Sequence, residues 1–489
     1  MTQDQWKEGM NLGSNPPDGR RVKVTAANPK SLIEIVFSSY YYIKKLKGEA
    51  AYDIITEVVT FSCDIYCSLQ EYWEIPCNLF MINGRKTKNR YQGEATVRIL
   101  FFVSILSLYS LLHLYVFLKM RSAFAFSAVT AIFLIVFMVL MVSAPVVVRV
   151  LEGHGFDVTA RLISYLGYTW MGLVFLFFFC SLAIDIYCLL VYATGLMIHT
   201  GFSSFTPSPR IAFFIALLAT GAIAVFGLYE ARTIRTETVV IRSPKIPEGI
   251  GALTIAQISD VHLGLIVRHK RLKRILNAVR RANPDILVST GDLVDGQIDN
   301  LTGLAELLQT VNPPYGKYAI TGNHEFYAGL DQALNFAQSA GFTVLRGETS
   351  DASGIITVVG IDDPTGKYFG LYRGVSEKTL LSHHSNKKFV LLLKHIPVVN
   401  KEALGLFDLQ LSGHTHKGQI FPFNLITRLF FPYHTGLIPL SHGSQLYVSR
   451  GSGTWGPPIR FLSPPEVTII KLVHANTHSL SNTTKDESS

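Results

Sequence analysis

Four long, nearly uncharged runs constrain this chain more than any other feature of its sequence. They cover residues 99–118, 123–148, 162–192 and 211–229. A helix of about twenty such residues crosses the hydrocarbon core of a bilayer. The composition, 48% apolar and 16% charged, agrees with a membrane module joined to a water-soluble part. We therefore expect a four-helix transmembrane module over residues 99–230.

The rest of the chain divides by composition into four further segments. Residues 1–98 form a mixed, charged extension with no signal-peptide pattern, to which we assign no role. Residues 231–249 are expected to be a linker, 250–473 a soluble domain and 474–489 a disordered polar tail. The net charge of +9 suits anionic lipids or phosphates as partners, and it is too diffuse to indicate nucleic acid.

The basic residues that flank the apolar runs predict the orientation of the module. At one end lie eleven: Arg85, Lys86, Lys88, Arg90, Arg98, Arg149, Arg161, Arg232, Arg235, Arg242 and Lys245. At the other end lie Lys119, Arg121 and Arg210. By the positive-inside rule, the domain after residue 230 is expected in the cytoplasm. Asp185, inside the third run, either contacts an ion or substrate or bonds a neighbouring helix.

After residue 250 the pattern changes to short apolar runs that alternate with helical segments. Six runs read as buried strands: LTIAQISD, DILVSTGD, KYAITGNH, ITVVGIDD, KFVLLLKH and LQLSGHTH. Residues 270–283 read as a helix with Leu272, Ile275, Leu276 and Val279 on one stripe. This alternation predicts an α/β domain.

Five of these strands end in residues that can bind a divalent cation. In chain order the motifs are Asp260-x-His262, Asp292-x-x-Asp295, Asn323-His324-Glu325, His395 and His414-x-His416. The last motif alone is equally compatible with two loop histidines that are close by chance. Strand ends in an α/β sheet collect at one edge, and residues two apart on a strand share a face. Together the five motifs therefore predict a metal centre.

The motifs D-x-H, G-D-x-x-D, G-N-H-E, a lone His after a strand, and G-H-x-H resemble the signature of calcineurin-like metallophosphoesterases. The resemblance covers residues 250–473, and the stretch YVSRGSGTWGPPIRFLSPPEVTII resembles the membrane-associated, phosphodiesterase-like branch. It implies two mixed β-sheets sandwiched by helices, an αββα arrangement, after the α-helical membrane module.

The same resemblance implies two metal sites and a group on the leaving-group side. Asp260, His262 and His416 would hold the first cation, Asn323, His395 and His414 the second, and Asp292 would bridge both. The ligand set favours Mn²⁺, and Fe or Zn²⁺ also fits it. His324 would act as general acid or charge stabiliser, oriented by Asp295. Two such cations can hold a phosphate group and activate water.

Three positions depart from the pattern of the family. Gly296 follows Asp295, where protein Ser/Thr phosphatases of this superfamily carry an arginine that binds phosphate, and this disfavours a phosphoprotein substrate. Lys394 precedes His395, and we expect it to face solvent. Lys417 either contacts a substrate phosphate or faces solvent.

Two stretches bear on the substrate. Residues 268–281 are basic, and they form either a surface for anionic headgroups or an ordinary solvated helix. Residues 421–440 are apolar, and they form either a lipid-facing lip or a covered core segment. We expect a membrane-anchored, dinuclear-metal phosphohydrolase that cleaves a phosphodiester or pyrophosphate bond of a small or lipid-linked substrate. The alternatives are a phosphomonoesterase or protein phosphatase, and a membrane scaffold or receptor with an idle phosphoesterase-like domain.

Overall fold

In this computed structural model the described residues are 86–199, 203–296, 301, 303–383 and 388–475, with side chains described from Val103 onwards. The chain divides into a unit Met1–Ala95 and a unit Thr96–Ser489. Most of the expected N-terminal extension, and the tail after residue 475, lie outside the described residues.

The helices, numbered along the described chain, form two groups. The long apolar ones are α1 (Lys86–Ala123), α2 (Ala128–Gly153), α3 (Asp157–Ile198) and α4 (Pro209–Glu230). The shorter ones are α5 (His269–Ala282), α6 (Leu304–Gln309), α7 (Asn323–Ala328), α8 (Leu330–Ser339), α9 (Gly366–Phe369), α10 (Glu377–Ser382) and α11 (Phe423–Phe430).

The described strands are β1 (Arg235–Ser243), β2 (Ala252–Ile258), β3 (Ile286–Ser289), β4 (Lys317–Ala319), β5 (Thr343–Val344), β6 (Glu348–Ala352), β7 (Ile356–Gly360), β8 (Phe389–Leu393), β9 (Leu409–Ser412), β10 (Gly436–Pro439), β11 (Gln445–Val448) and β12 (Glu466–His474). The six strands expected from the sequence are confirmed as β2, β3, β4, β7, β8 and β9. All residues of β3, β8 and β9 are buried, as their unbroken apolar runs predict.

Helices α1 to α4 are long and apolar enough to cross a membrane, as expected. Many of their outward side chains are apolar, for example Phe133 and Leu218, each 72% exposed. Asp185 accepts a hydrogen bond of 2.6 Å from Tyr115 and pairs with Lys119, so it bonds a neighbouring helix. At 42 residues, α3 is about 63 Å long, roughly twice the thickness of the hydrocarbon core. Helix α3 is therefore longer than a single crossing of a bilayer requires.

The soluble domain contains two six-stranded mixed sheets. Their orders are β1-β12-β2-β3-β4-β5 and β10-β11-β9-β8-β7-β6. Ile255 and Val288 of the first sheet share a buried cluster with Leu391 and Leu411 of the second, so the sheets pack face to face. The predicted stripe of α5 packs on the outer face of the first sheet, and Leu381 of α10 packs on that of the second. This is the expected αββα arrangement.

Two segment boundaries differ from the sequence expectation. The expected linker contains β1, which pairs in parallel with β12 from Arg235↔Glu466 to Ser243↔His474. Exposed and half-buried residues alternate along β1, as in an edge strand that covers the core with one face only. His474, the first residue of the expected tail, is the last residue of β12.

The soluble domain docks on the ends of the membrane helices. Leu176 of α3 and Ala224 of α4 form a buried cluster with Ile420 and Ile459 of the domain. The amide of Arg460 donates a hydrogen bond of 3.1 Å to the carbonyl of Gly227 in α4. This contact, together with the direct passage from α4 into β1, fixes the domain against the membrane module.

Candidate metal centre

Two groups of ligand-type side chains meet where strands of the two sheets end. In the first group, His416 Nε2 lies 3.0 Å from His262 Nε2 and 3.5 Å from Asp260 Oδ1. All three residues are buried. They come from the ends of β2 and β9, one strand from each sheet, and their ligand atoms all lie within 4.8 Å of one another.

The second group is equally compact. Asn323 Oδ1 lies 3.2 Å from both His395 Nε2 and His414 Nδ1, and these two nitrogens are 3.2 Å apart. Asp292 Oδ2 lies 3.3 Å from His395 Nε2 and 3.7 Å from His262 Nε2. Asp292 is therefore the residue that lies between the two groups.

The chemistry of this donor set fits divalent cations. Asn323 Oδ1 is an acceptor that faces His395 Nε2 and His414 Nδ1, and the three atoms lie 3.2 Å from one another. Burial lowers the pKa of His262 to about 4 and that of His414 to about 3, so both rings are neutral, as ligands must be. A cation shared by these atoms satisfies them all. Oxygen and nitrogen ligands without thiolate suit Mn²⁺, Fe or Zn²⁺.

The backbone is strained at most of these ligands. Five of them have a positive φ: Asp260 at 50°, His262 at 52°, Asp292 at 52°, His414 at 70° and His416 at 48°. A left-handed conformation costs a non-glycine residue on the order of 1 kcal/mol or more. Backbone hydrogen bonds across the strand ends hold it in place, including Asp260 to Gly291 at 3.1 Å. Such strain is typical of functional sites.

Two glycines of the motifs provide room for the buried carboxylates. A Cβ on Gly322 would lie 2.2 Å from Asp292 Oδ1, and a Cβ on Gly413 would lie 2.2 Å from Asp260 Oδ2. No side chain fits at such distances without moving the ligand. The glycines that precede Asn323 and His414 are therefore required by packing.

Glu325, to which the sequence assigned no role, holds the loop that carries Asp292. Its buried carboxylate accepts hydrogen bonds from the amides of Gly322 at 2.6 Å, Leu293 at 2.7 Å and Asp292 at 2.9 Å. The carboxylate thus fixes two of the metal-motif loops to each other. Its place beside His324 in the sequence was the available signal.

His324 and Asp295 form a hydrogen-bonded pair next to the first group. His324 Nδ1 lies 2.9 Å from Asp295 Oδ1, and the rings of His324 and His262 are 4.6 Å apart. Burial opposes a charge on His324, but Asp292 and Asp295 outweigh it and raise the pKa of His324 to about 9. Burial raises the pKa of Asp295, but the charge on His324 and the hydrogen bond between the two side chains outweigh burial and hold this pKa below its usual range. The pair therefore places a protonated imidazole at the centre.

Arg460 is a site residue that the sequence did not predict. It is fully buried, and its Nη2 lies 2.9 Å from His416 Nδ1. Its other nitrogens donate to the carbonyls of Gly453, Arg450 and Ser463. These bonds fix the His416 ring with Nε2 directed at Asp260. Arg460 is one of two arginines in the stretch that carries the family resemblance, and no ligand spacing in the sequence distinguishes it.

The two lysines beside the metal motifs differ in environment. Lys394, expected to face solvent, instead forms a 2.6 Å ion pair with Glu377 in which both side chains are mostly covered. The strand neighbour of a metal-motif histidine thus faces away from the centre, but it contacts α10 instead of water. Lys417 is half-buried and follows His416 in a left-handed conformation.

The membrane module contributes directly to the pocket beside the centre. Val148, Arg149, Glu152 and Tyr168 of α2 and α3 line the pocket together with His262, Asp295, Thr454 and other domain residues. Arg149 Nη2 lies 3.5 Å from Asp295 Oδ1. The sequence assigned Arg149 only a role in orientation, since nothing in its spacing links it to the metal motifs.

Helix α11 places an exposed apolar face beside the same centre. Leu429 is 81% exposed and Phe430 is 65% exposed. Phe423, at its start, packs against Phe175 of α3 with ring centres 6.1 Å apart. Phe431, which follows the helix, contacts the ring of His414 at 5.2 Å. Residues 421–440 were expected to form either a lipid-facing lip or a covered core segment. Because its apolar residues are exposed, α11 fits the lip and not the core segment.

Comparison with known proteins agrees with this geometry. The family model "Calcineurin-like phosphoesterase" matches residues 253–418. An uncharacterized metallophosphoesterase of Aquifex aeolicus is 42% identical over 260 residues, which are 53% of this chain and 98% of that protein. A zebrafish transmembrane protein with metallophosphoesterase domain is 34% identical over 275 residues, 53% of this chain and 62% of that protein.

This chain therefore spans less than two thirds of the zebrafish relative's length. Among solved structures, a 5'-nucleotidase precursor from Thermus thermophilus aligns at 17% identity with a TM-score of 0.26. That alignment covers 45% of this chain and 54% of the other, and carries no argument about function. The A. aeolicus relative matches over nearly its full length. The chain therefore belongs to the calcineurin-like metallophosphoesterases, a family of metal-dependent phosphoesterases.

Proposed function

We propose that the protein is a membrane-anchored phosphohydrolase with two divalent cations, which cleaves a phosphodiester or pyrophosphate bond of a lipid-linked substrate. Asp260, His262 and His416 hold the first cation, Asn323, His395 and His414 the second, and Asp292 bridges them. The compactness of the two groups and the position of Asp292 between them support this assignment. We propose Mn²⁺ as the native metal, because all ligands are oxygen or nitrogen atoms.

The residues around the cations have separate roles in the reaction. When bound, two such cations neutralise the phosphate and activate water for in-line displacement. His324 carries a proton next to the first group, and it protonates the departing oxygen or stabilises its charge. Asp295 keeps the His324 ring in the orientation that this transfer needs.

The observation that carries the lipid-linked assignment is the placement of α11. From Phe175 to Ile198, α3 contains 24 residues, about 36 Å, which is enough to cross a bilayer. Because Phe423 contacts Phe175, α11 begins at the level where that span begins. Its exposed apolar face then rests in the membrane interface, next to the metal centre. A lipid-linked substrate thus reaches the centre without leaving the bilayer surface.

We further propose that the domain lies on the cytoplasmic side, where anionic headgroups attract the basic face of α5. Lys270, Lys273 and Arg274 are exposed on this helix. Arg271 is not part of this face, because its Nε and Nη2 atoms are buried. The proposal includes no nucleic acid partner.

The class of reaction is tested with the purified full-length chain in nanodiscs, assayed with Mn²⁺. We expect turnover of bis-p-nitrophenyl phosphate that exceeds turnover of p-nitrophenyl phosphate. A preference for the monoester would favour a phosphomonoesterase. No turnover with any divalent metal, together with tight metal binding, would favour the idle binding domain.

The role of α11 is tested by the double variant L429Q/F430Q. Each replaced side chain loses on the order of 1.5–3 kcal/mol of apolar burial in the interface. We expect kcat/KM for a lipid pyrophosphate to fall at least tenfold, with bis-p-nitrophenyl phosphate unchanged. Leu371→Gln, at a 47% exposed leucine outside α11, is the matched control and should affect neither substrate. An equal loss for both substrates would show that α11 supports the site and does not recognise the lipid.

A further inference from the structure

Arg149, from the last turn and a half of membrane helix α2, lies at the edge of the metal centre. Its Nη2 is 3.5 Å from Asp295 Oδ1, the same atom that lies 2.9 Å from His324 Nδ1. Its Nη1 donates a 3.2 Å hydrogen bond to Glu152, one turn further along α2. The pocket that Arg149 and Glu152 line also includes His262, a member of the first metal group. The guanidinium therefore faces the space in which a substrate meets the centre.

Gly296 makes this approach possible. A Cβ at Gly296 would lie 2.8 Å from Arg149 Nη1 and 2.5 Å from Glu152 Oε1, and its φ is +71°. The space that a side chain after Asp295 would occupy is thus filled by the ion pair of α2. The basic group beside Asp295 is therefore Arg149, which belongs to helix α2 of the membrane module.

The exposure of the ion pair determines which charge a ligand meets. The side chain of Arg149 is 49% exposed, whereas that of Glu152 is 6% exposed. Glu152 therefore lies behind the guanidinium and orients it, as a carboxylate behind an arginine does. The exposed guanidinium is therefore the charge of this ion pair that a ligand in the pocket meets, and it suits an anionic ligand.

Arg149 lies on the side of His324, where the departing group of the substrate would be. An alcohol that departs from a phosphodiester has no second phosphate for a guanidinium to bind. A phosphate that departs from a pyrophosphate carries negative charge and oxygen atoms that match the donor fork of arginine. We propose that Arg149 binds the departing phosphate, and that the site is therefore built for a pyrophosphate bond. This inference rests on the proposed phosphohydrolase function and specifies its substrate class.

The proposed step balances as a simple hydrolysis. A water oxygen forms a bond to one phosphorus, and the bond from that phosphorus to the bridging oxygen breaks. The electron pair of that bond stays on the departing phosphate, which takes up one proton of the water, either directly or from His324, which the water then reprotonates. Two phosphates result, each with the substituent that it carried before, and Arg149 holds the one that leaves.

The test measures binding and turnover with the full-length, Mn²⁺-loaded protein in nanodiscs. Inorganic pyrophosphate is the calorimetric probe, and a lipid pyrophosphate and bis-p-nitrophenyl phosphate are the substrates. In Arg149→Ala we expect pyrophosphate affinity and kcat/KM for the lipid pyrophosphate to fall about ten- to hundredfold, the range of a charged hydrogen bond. For bis-p-nitrophenyl phosphate we expect a change within about threefold. Arg149→Lys should lie between, because it keeps the charge without the fork.

Two further variants separate ligand binding from a structural ion pair. Arg161→Ala removes an exposed arginine of α3, and it should match the wild type. Glu152→Gln removes the negative charge of the ion pair but keeps an acceptor oxygen that can orient Arg149, so it should bind pyrophosphate at least as tightly as the wild type. If Glu152→Gln loses as much affinity as Arg149→Ala, the pair is structural and the proposal is wrong.

Two other outcomes also contradict the inference about Arg149. If kcat/KM falls equally for both substrates in Arg149→Ala, Arg149 binds the transferred phosphate and not the departing one. If the affinity for pyrophosphate is unchanged in Arg149→Ala, Arg149 does not bind phosphate at all. If the wild type hydrolyses neither substrate, the proposed function fails. The calorimetric comparison still tests Arg149 in that case, because it needs no turnover.

Discussion

At the scale of single residues, Asp292 connects the two halves of the candidate centre. It is buried and lies within 3.7 Å of His262 in one group and 3.3 Å of His395 in the other. Burial raises its pKa, but the neighbouring charges on His395 and His324 outweigh this and hold the pKa well below the usual range. Asp292 is thus an ionised carboxylate between the two groups, as the proposed bridging role requires.

The first prediction concerns this charge. Asp292→Asn should lose both metals and nearly all activity, because the amide cannot supply a negative charge to either site. Metal content per chain and turnover are measured on the same preparation. Two cations retained in Asp292→Asn would contradict the bridging role.

The second prediction concerns His324, which is expected to act on the departing group and not as a ligand. His324→Ala should keep both metals and lose rate by about 10²–10⁴-fold, the contribution of a positioned acid. Asp295→Asn should show a milder loss, since it disturbs only the orientation of the ring. A His324→Ala protein without metal would show that His324 is a ligand.

The raised pKa of His324 also predicts a pH dependence. The protonated form is present below the pKa of about 9 and is lost as the pH rises through it. Bound cations would lower this value, so the fall of kcat on the alkaline side is expected at or below about pH 9. His324→Ala should lack this alkaline fall. A wild-type kcat that stays constant up to pH 10 would exclude the protonated form as the active one.

The site residues named by motif and those that were missed differ in a physical way. Asp260 and His262, or His414 and His416, follow directly after a strand, so the sequence places them at one edge of the sheets. Arg460 and Arg149 reach the centre only because distant segments pack against it. Their sequence neighbours have no ligand spacing, so no local pattern could identify them.

At the scale of elements, the six buried strands were predictable, whereas β1 was not. Continuous apolar runs that end in Gly, Asp or His clusters predict strands such as β3 and β9. The sequence of β1, RTETVVIRS, begins with four polar residues shortly after a membrane helix, and its pairing with β12 depends on residues more than 200 positions away. The docking of α3 and α4 on the domain was not predictable either, because it depends on contacts between residues that are far apart in the sequence.

This docking gives a third prediction, with a matched control in the same helix. A Cβ at Gly227 would lie 2.5 Å from Ile459 Cγ2, whereas a Cβ at Gly221 meets no atom within 4 Å. Gly227→Val should therefore displace the domain from α4, lower the midpoint of thermal unfolding and reduce turnover of a lipid-linked substrate. Gly221→Val carries the same change in helix propensity without the clash, and it should behave as the wild type. Equal effects of the two variants would show that the contact with Ile459 does not hold the domain.

At the scale of the whole molecule, the orientation of the domain relative to the bilayer connects the membrane module with the chemistry. The sequence has eleven Lys and Arg residues that flank one end of the predicted module, against three that flank the other end. Arg149, one of the eleven, lies near Asp295 of the metal-centre pocket, which places that end of α2 at the domain. The sequence predicted the charge asymmetry, but not that part of it lines a pocket.

A fourth prediction follows for the topology. A reporter fused after residue 475, beyond β12, should give green fluorescence and no alkaline phosphatase activity, since the positive-inside rule places the domain in the cytoplasm. Alkaline phosphatase activity without fluorescence would place the domain on the other side. It would also contradict the proposal that anionic headgroups of the cytoplasmic leaflet bind the basic face of α5.

The central claim is that the metal centre works on a phosphate held at the membrane surface. It is tested most directly by the ratio of kcat/KM for a lipid pyrophosphate to that for the same pyrophosphate headgroup without its lipid chains. Both are assayed on one preparation of Mn²⁺-loaded, full-length protein in nanodiscs. We predict at least a tenfold preference for the lipid form, because α11 and the membrane helices keep it at the pocket. Equal values, or a preference for the soluble form, would contradict the claim.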